Sequence, residues 1–435
     1  MFLAILFLPT TGVFLLKNQD IQNYLVDVLS EKFSNRLNAQ IQIKSAYYTL
    51  FNKLVLEDVY IQDQKGDSLI YSERITGNLN YLSLKDRELF FEELALEDAR
   101  IKLYNDTSKK INIHFLIQAL KRKDTTKQRM HIRSQNIRIS NSTLTYHTNH
   151  KPDATPIVDP NHLLLNNLNL RIEGLNADSG RINMNIKQLS FDELSGLTVK
   201  NLSTGLKLNR KFLDLRGFSL TTPATSFKTD SIRITHNEYE GFEAPFNKLR
   251  FDLSINHSRI AFDDLAYFSR VFHKAPDRQF TLSGHINGKI NNLKGNQVHL
   301  GLGTQTELLT DFSLDGLPDI SRTFMYIDMN HFYTGMQDLE VINRFLPQDK
   351  KISLPETFSN LGRIRYEGNF TGFIDDFVAY GTMNTNLGEI STDLLIQPRQ
   401  VEGLAMNGNL KTRDFDIGGL LEDEENFGKF SMDIQ

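Results

Sequence analysis

Paired carboxylates are the first residues in this chain with the spacing to do chemistry. Glu57-Asp58 and Glu97-Asp98 recur 40 positions apart (97 minus 57) inside two similar phrases. Two carboxyls flanking one bond are the machinery of glycoside cleavage. Their return at the same point of a repeated phrase favours a structural bend instead. His147 and His150 stand three apart, a spacing that metal ligands use, but Pro152 beside them reads as loop and the pair has no support. The 435 residues include no cysteine, which removes disulfides, thiolate zinc sites and a thiol nucleophile together. No Gly-x-Ser-x-Gly elbow, phosphate-binding loop or dinucleotide fingerprint occurs. The expectation is therefore a protein without catalytic residues, metal ligands or cofactor, and not an enzyme.

The elements that carry those carboxylates give the stronger signal. Leu54-Val-Leu-Glu-Asp-Val-Tyr-Ile61 alternates apolar and polar side chains, with Leu54 and Leu56 before the acidic pair and Val59 and Ile61 after it. Alternation sends every second side chain to one face of a strand. The break in step at Glu57-Asp58 reads as a bulge that re-aims the strand without ending it. The phrase returns as Leu94 to Ile101, with Leu94, Leu96, Ile101 and then Leu103 apolar, and more loosely as Ile137 to Leu144, with Ile137, Ile139 and Leu144. Leu168, Leu170 and Ile172 continue the pattern. Strands of one design imply a long sheet laid down rung by rung, with these residues lining a continuous apolar face. An ordinary β core is the plainer explanation of the same stripe.

Composition narrows the partners. The hydrophobic share of 40% and charged share of 23% fit neither a disordered chain nor a polytopic membrane protein. A net charge of -4 leaves no basic excess to neutralise phosphates, so nucleic acid is excluded as an expected partner.

The first 17 residues are expected to be a membrane anchor. Phe2, Leu3, Ile5, Leu6, Phe7, Leu8, Val13, Phe14, Leu15 and Leu16 form an uncharged run up to Lys17. The run is short for a bilayer span and lacks the basic flank of a signal peptide. A start lying inside a longer anchor explains both; a cleaved signal peptide is the alternative. Ile21 to Leu37 repeats apolar residues at three- and four-residue steps, which predicts an amphipathic helix with Asp20 as its N-cap.

Further along, strands dominate. Asp63 to Asp67 predicts a turn with Gly66 at positive φ. Asn112 is expected to cap a helix over 113–121, followed by a basic loop at Lys121 to Gln128 that reads as solvated. Residues 151–160 hold three prolines and mark a soft boundary between an 18–150 region, built of the amphipathic helix and first β rungs, and a 161–435 region that continues them. Helices are expected from a cap at Asp263 and from Asp338 to Phe345. The final residues read as mid-strand, and the acidic run Glu422 to Glu425 as solvated.

These phrases, with Gly284-His-Ile-Asn-Gly288, Asp315-Gly-Leu-Pro-Asp319 and Gly381 to Gly388, resemble the AsmA-like family, and within it the TamB-type proteins of Gram-negative bacteria. The resemblance covers most of the chain in short scattered pieces. It implies an elongated, taco-shaped β-sheet with an apolar concave face, anchored in the inner membrane and projecting into the periplasm. It further implies phospholipid as cargo, transport between membranes and outer-membrane biogenesis. The resemblance does not extend to the C-terminal domain through which such proteins meet an outer-membrane β-barrel, the partner expected of a region beyond these residues. A scaffold for outer-membrane protein assembly, and a structural or adhesive β-solenoid without lipid, remain as alternatives.

Overall fold

A computed structural model describes residues 19–37, 39–49, 53–83, 88–105, 111–116, 131–148, 157–178, 181–236, 248–346, 355–399 and 403–435. The chain is mostly β and falls into two compact units: residues 1–209 with 220–223, and residues 210–219 with 224–435. The proline-rich stretch 151–160 lies inside the first unit.

The first unit builds β1 (Ile41–Tyr48), β2 (Lys53–Gln62), β3 (Ser68–Ser83), β4 (Glu88–Tyr104), β5 (His131–His147), β6 (His162–Asp178), β7 (Arg181–Glu193), β8 (Thr198–Val199) and β9 (Asn201–Leu208). From β1 to β8 consecutive strands pair antiparallel, except that β4 and β5 are parallel, and β9 pairs antiparallel with β7. A parallel pair needs a crossover of a dozen residues or more, and residues 105–130 supply it. β3 runs unbroken from Ser68 to Ser83. Gly66 takes φ 91 in the β2–β3 turn, as a tight turn there requires.

The second unit continues as a meander. After β10 (Phe212–Thr221), at the division, come β11 (Ser226–Thr235), β12 (Arg250–Ala261), β13 (Gln279–Lys289), β14 (Asn292–Leu302), β15 (Thr306–Asp315), β16 (Phe324–Thr334), β17 (Ile364–Phe373), β18 (Asp376–Thr385), β19 (Gly388–Arg399), β20 (Gly403–Asp416) and β21 (Lys429–Ile434). From β11 to β21 every strand pairs antiparallel with the next.

Named helices are α1 (Gln19–Leu37), 19 residues long, and the shorter α2 (Phe262–Ala266), α3 (Met336–Phe345) and α4 (Ile417–Leu421). Asp20 lies in the first turn of α1 and not at its N-cap. Tyr24, placed by periodicity on the apolar face, is 66% exposed. The helix expected after Asp263 is two pieces, α2 and a 3-10 turn at Arg270–Lys274, and Asp263 sits inside the first turn of α2. α3 starts two residues before Asp338. That carboxylate is 3% exposed and accepts from Gln305 N and the Thr306 hydroxyl, tying the β14–β15 turn to the helix.

Each unit has its own cores. In the first, Val26 of α1 packs on Ile41, Ile43, Ala46, Leu56 and Val59, and Ile113, Phe115 and Leu116 of the crossover pack around Leu69, Ile70, Ala99 and Ile101. In the second, Phe262, Phe272, Phe280 and Phe345 cluster with Val341 and Leu302 beside α2 and α3. A further core joins Leu361, Ile364 and Phe415. No helix among the described residues is long and apolar enough to cross a membrane. The expected anchor, Phe2 to Leu16, lies outside the described residues, as do Lys121 to Gln128 and His150.

Candidate functional site

The repeated phrase is a register device. β2 and β4 run the same way, separated by β3, and the 40-residue offset places the first two copies opposite one another through it. Leu54 faces Gly77, which faces Leu94; Leu56 faces Ile75, which faces Leu96; Ile61 faces Ile70, which faces Ile101. The third copy pairs with the second in parallel, residue for residue: Leu94 with Ile137, Leu96 with Ile139, Ile101 with Leu144. β6 then sets Ile172 against Ile137 and Leu170 against Ile139, and β7 adds Ile186 and Leu189.

Three rows of apolar side chains therefore cross one face of the first unit. One runs Leu54, Gly77, Leu94, Ile137, Ile172, Ile186; the next runs Leu56, Ile75, Leu96, Ile139, Leu170, Leu189. Six strands at about 4.8 Å spacing make each row about 24 Å long. The Phe91 ring fills the place a side chain would take at Gly77, where an added Cβ would lie 2.6 Å from it. Leu54, Leu94, Leu96, Ile137, Ile139, Leu170 and Ile172 are all half-buried. The third row, Ile61, Ile70, Ile101, Leu144, Leu165, is packed against the crossover, and Leu103 joins it there. Leu56 and Val59 sit in the core beside α1.

Between the rows runs a crease. Val59, Ser72, Ala99, Ser142 and Leu168 are each no more than 3% exposed. At this level the chain takes positive φ at Asp58 (49°), Asp98 (50°), Asn141 (46°) and Asn167 (51°). Pairing register shifts beside Asn141 and Asn167, the mark of a bulge that bends a strand and sharpens its twist, whereas it runs unshifted through Asp58 and Asp98 on both sides. Asp and Asn tolerate this backbone better than other non-glycine residues. The left-handed backbone at Asp58 lets Leu56 and Val59, an odd number of positions apart, share one core. The buried serines bond the backbone at the crease: Ser72 Oγ donates to Arg74 O (2.9 Å) and Glu97 O (3.0 Å), and Ser142 Oγ accepts from Ala99 N at 3.0 Å.

The Glu-Asp pairs are accounted for by this geometry. Asp58 accepts from Lys44 Nζ and from the Tyr71 hydroxyl, both at 2.8 Å, and those bonds hold its carboxyl below the usual carboxylate range. Asp98 accepts from the Asn141 amide. Asn169 Oδ1 accepts from Asn141 N at 3.1 Å, and Asn167 Nδ2 donates to Asp192 at 2.7 Å. The carboxylates thus belong to a polar rail along the crease.

The second unit repeats the design with different residues. Ile232, Leu253, Ile286, Gly295, Phe312, Ile327, Phe370, Ala379 and Leu394 form one cross-strand row. A neighbouring row includes Phe251, Leu293, Leu314, Met325, Phe377 and Ile396. Its crease passes Val298, Thr310, Gly368 and Gly381, and an added Cβ at Gly368 would stand 2.1 Å from Tyr380 O. These aromatic rows were not among the candidate residues because their repeats are spaced unevenly and interrupted by glycine.

Among the described residues no group of three or more His, Asp or Glu is placed to hold a metal. His147 is taken up in a stack with Tyr104, ring centroids 5.5 Å apart. Sequence reasoning also missed a buried knot at the β2–β3 turn. Asp63, 3% exposed, accepts from Tyr104 Oη at 2.6 Å, Lys65 N at 2.8 Å, Asp67 N at 3.0 Å and Asn112 Nδ2 at 3.3 Å. Asn112, the expected helix cap, spends its Oδ1 on Tyr104 N at 3.1 Å.

Comparison with family models, curated proteins and solved structures found no match to this chain.

Proposed function

We propose that the apolar sheet faces carry lipid acyl chains, and that the protein moves phospholipid between membranes without catalysing a reaction. The observation that carries this reading is the cross-strand alignment of half-buried Leu54, Leu94, Leu96, Ile137, Ile139, Leu170 and Ile172, with aromatic rows of the same kind in the second unit. Each methylene taken out of water contributes about 0.8 kcal/mol. A row that meets a chain at every strand lets it slide from strand to strand without returning those methylenes to water. The headgroup stays hydrated, so no buried charge is needed. The resemblance to the AsmA-like family supplies the setting: a single-pass anchor in Phe2 to Leu16, the inner membrane on one side, the periplasm around the sheet, and a role in outer-membrane biogenesis.

Phospholipid co-purifying with the chain, measured by mass spectrometry, tests the reading. Charges are best placed at Leu94, Ile137 and Ile172, because Leu56 belongs to a packed core where a charge would unfold the strands. Leu94→Asp/Ile137→Asp/Ile172→Asp is expected to lose most bound lipid while keeping its strand circular dichroism. Lipid retained at the wild-type level in that folded variant, or no lipid in the wild type, sinks the reading.

A further inference from the structure

The opposite face of the second unit carries an apolar surface that lipid carriage does not use. Tyr326, Thr371, Val378 and Leu395 lie in one cross-strand row of β16 to β19. Strand alternation sends them away from Ile327, Phe370, Ala379 and Leu394. Phe324 and Phe373 stand on the same side and meet edge to face, ring centroids 5.5 Å apart, and Tyr380 follows two residues after Val378. All six large side chains are at least 36% exposed, and Tyr380 reaches 57%. Isolated exposed apolar residues are ordinary; a contiguous set in which four of six are Phe or Tyr marks a surface that is covered in use.

The charges around it say what covers it. The adjacent row reads Asp328, Asn369, Tyr380, Asp393, and no described cation pairs with either carboxylate. Asp376, at the rim, accepts from the Gln397 amide at 3.2 Å. Arg322 near the same end is engaged with Asp319 at 3.5 Å. Carboxylates flanking an apolar patch repel an anionic bilayer surface and complement a cationic one. We propose that this face docks a segment of a partner protein whose large apolar side chains are flanked by lysine or arginine. The inference stands apart from lipid carriage, since it uses the other side of the sheet.

The test uses the full chain and two short peptides, one alternating Leu and Phe with Lys and the other with Glu, together with vesicles rich in anionic phospholipid. The Lys peptide is expected to bind about tenfold more tightly than the Glu peptide. Val378→Asp/Leu395→Asp is expected to lose about tenfold in affinity for it. Asp328→Asn/Asp393→Asn is expected to weaken binding and flatten its salt dependence. Tyr380→Ser serves as a milder variant if the double aspartate loses strand signal. The proposal fails if the wild type does not bind the Lys peptide, if these variants bind it unchanged, or if the vesicles bind and Val378→Asp/Leu395→Asp releases them.

Discussion

At the residue scale the buried polar groups are connectors. Asp63 shows how one carboxylate can tie three segments together: the turn supplies Lys65 N and Asp67 N, β4 supplies Tyr104 Oη and the crossover supplies Asn112. Burial pushes its carboxyl up, but the bonds from Tyr104, Lys65, Asp67 and Asn112 together outweigh that and leave it below the ordinary range. Burial, then the bond to Asp63, raises Tyr104 in turn. A depressed folded carboxyl stabilises the fold fully above the unfolded value, about 4, and that contribution is lost as pH falls through the folded value. The melting temperature of the wild type is thus expected to drop as pH is lowered below about 4, and Asp63→Asn to be less stable at neutral pH with a shallower acid slope over the same interval. An identical acid slope in the two proteins would remove Asp63 from that role. None of this was legible in the sequence beyond a turn at Gly66, because Tyr104 and Asn112 stand 41 and 49 residues from Asp63 and no local pattern links them.

At the element scale a left-handed residue inside a strand decides which face the strand presents. The left-handed backbone at Asp98 lets Leu96 and Ile101, five positions apart, share one core; under regular alternation they would point to opposite sides. Asp98 at φ 50 is a backbone glycine adopts freely and a β-branched residue resists. Asp98→Gly is expected to leave stability within about 1 kcal/mol of wild type, the loss of its bond to Asn141 being partly offset by relief of the backbone. Asp98→Val is expected to cost about 2 kcal/mol or more. Equal denaturation midpoints for the two variants would mean that Asp98 is not under this constraint. This feature was legible: the repeated Glu-Asp breaks an alternating pattern at the same phase, which marks a bend. Asn141 and Asn167 were not, since asparagine in a strand reads equally as a turn. Buried Ser72, Ser142 and Ser258 were also hidden, because a serine gives no sign of which side of a strand it will occupy.

At the scale of the whole molecule the sheet grows by adding neighbours, so most long-range contacts are between strands adjacent in the chain. The sequence pattern conveyed the β class and the apolar rows of β2, β4, β5 and β6. It did not convey the parallel step at β4–β5, which depends on a crossover whose length is invisible to periodicity, or the division at residues 210–223. Architectures in which each strand meets only the next have stabilities that are sums of local terms. The two units here hold separate cores, one around Leu69, Ile70 and Ile101 and others around Phe262 and Ile364. Leu69 is fully buried, and Leu69→Ala removes about 2–5 kcal/mol of packing. If stability is local, that loss falls on the first unit alone. Amide hydrogen exchange read by mass spectrometry is expected to quicken across β3, β4 and β5 in Leu69→Ala while β13 to β20 keep wild-type protection. Exchange that quickens equally in both units would instead require one cooperative fold, in which the core at Leu69 supports strands more than two hundred residues away.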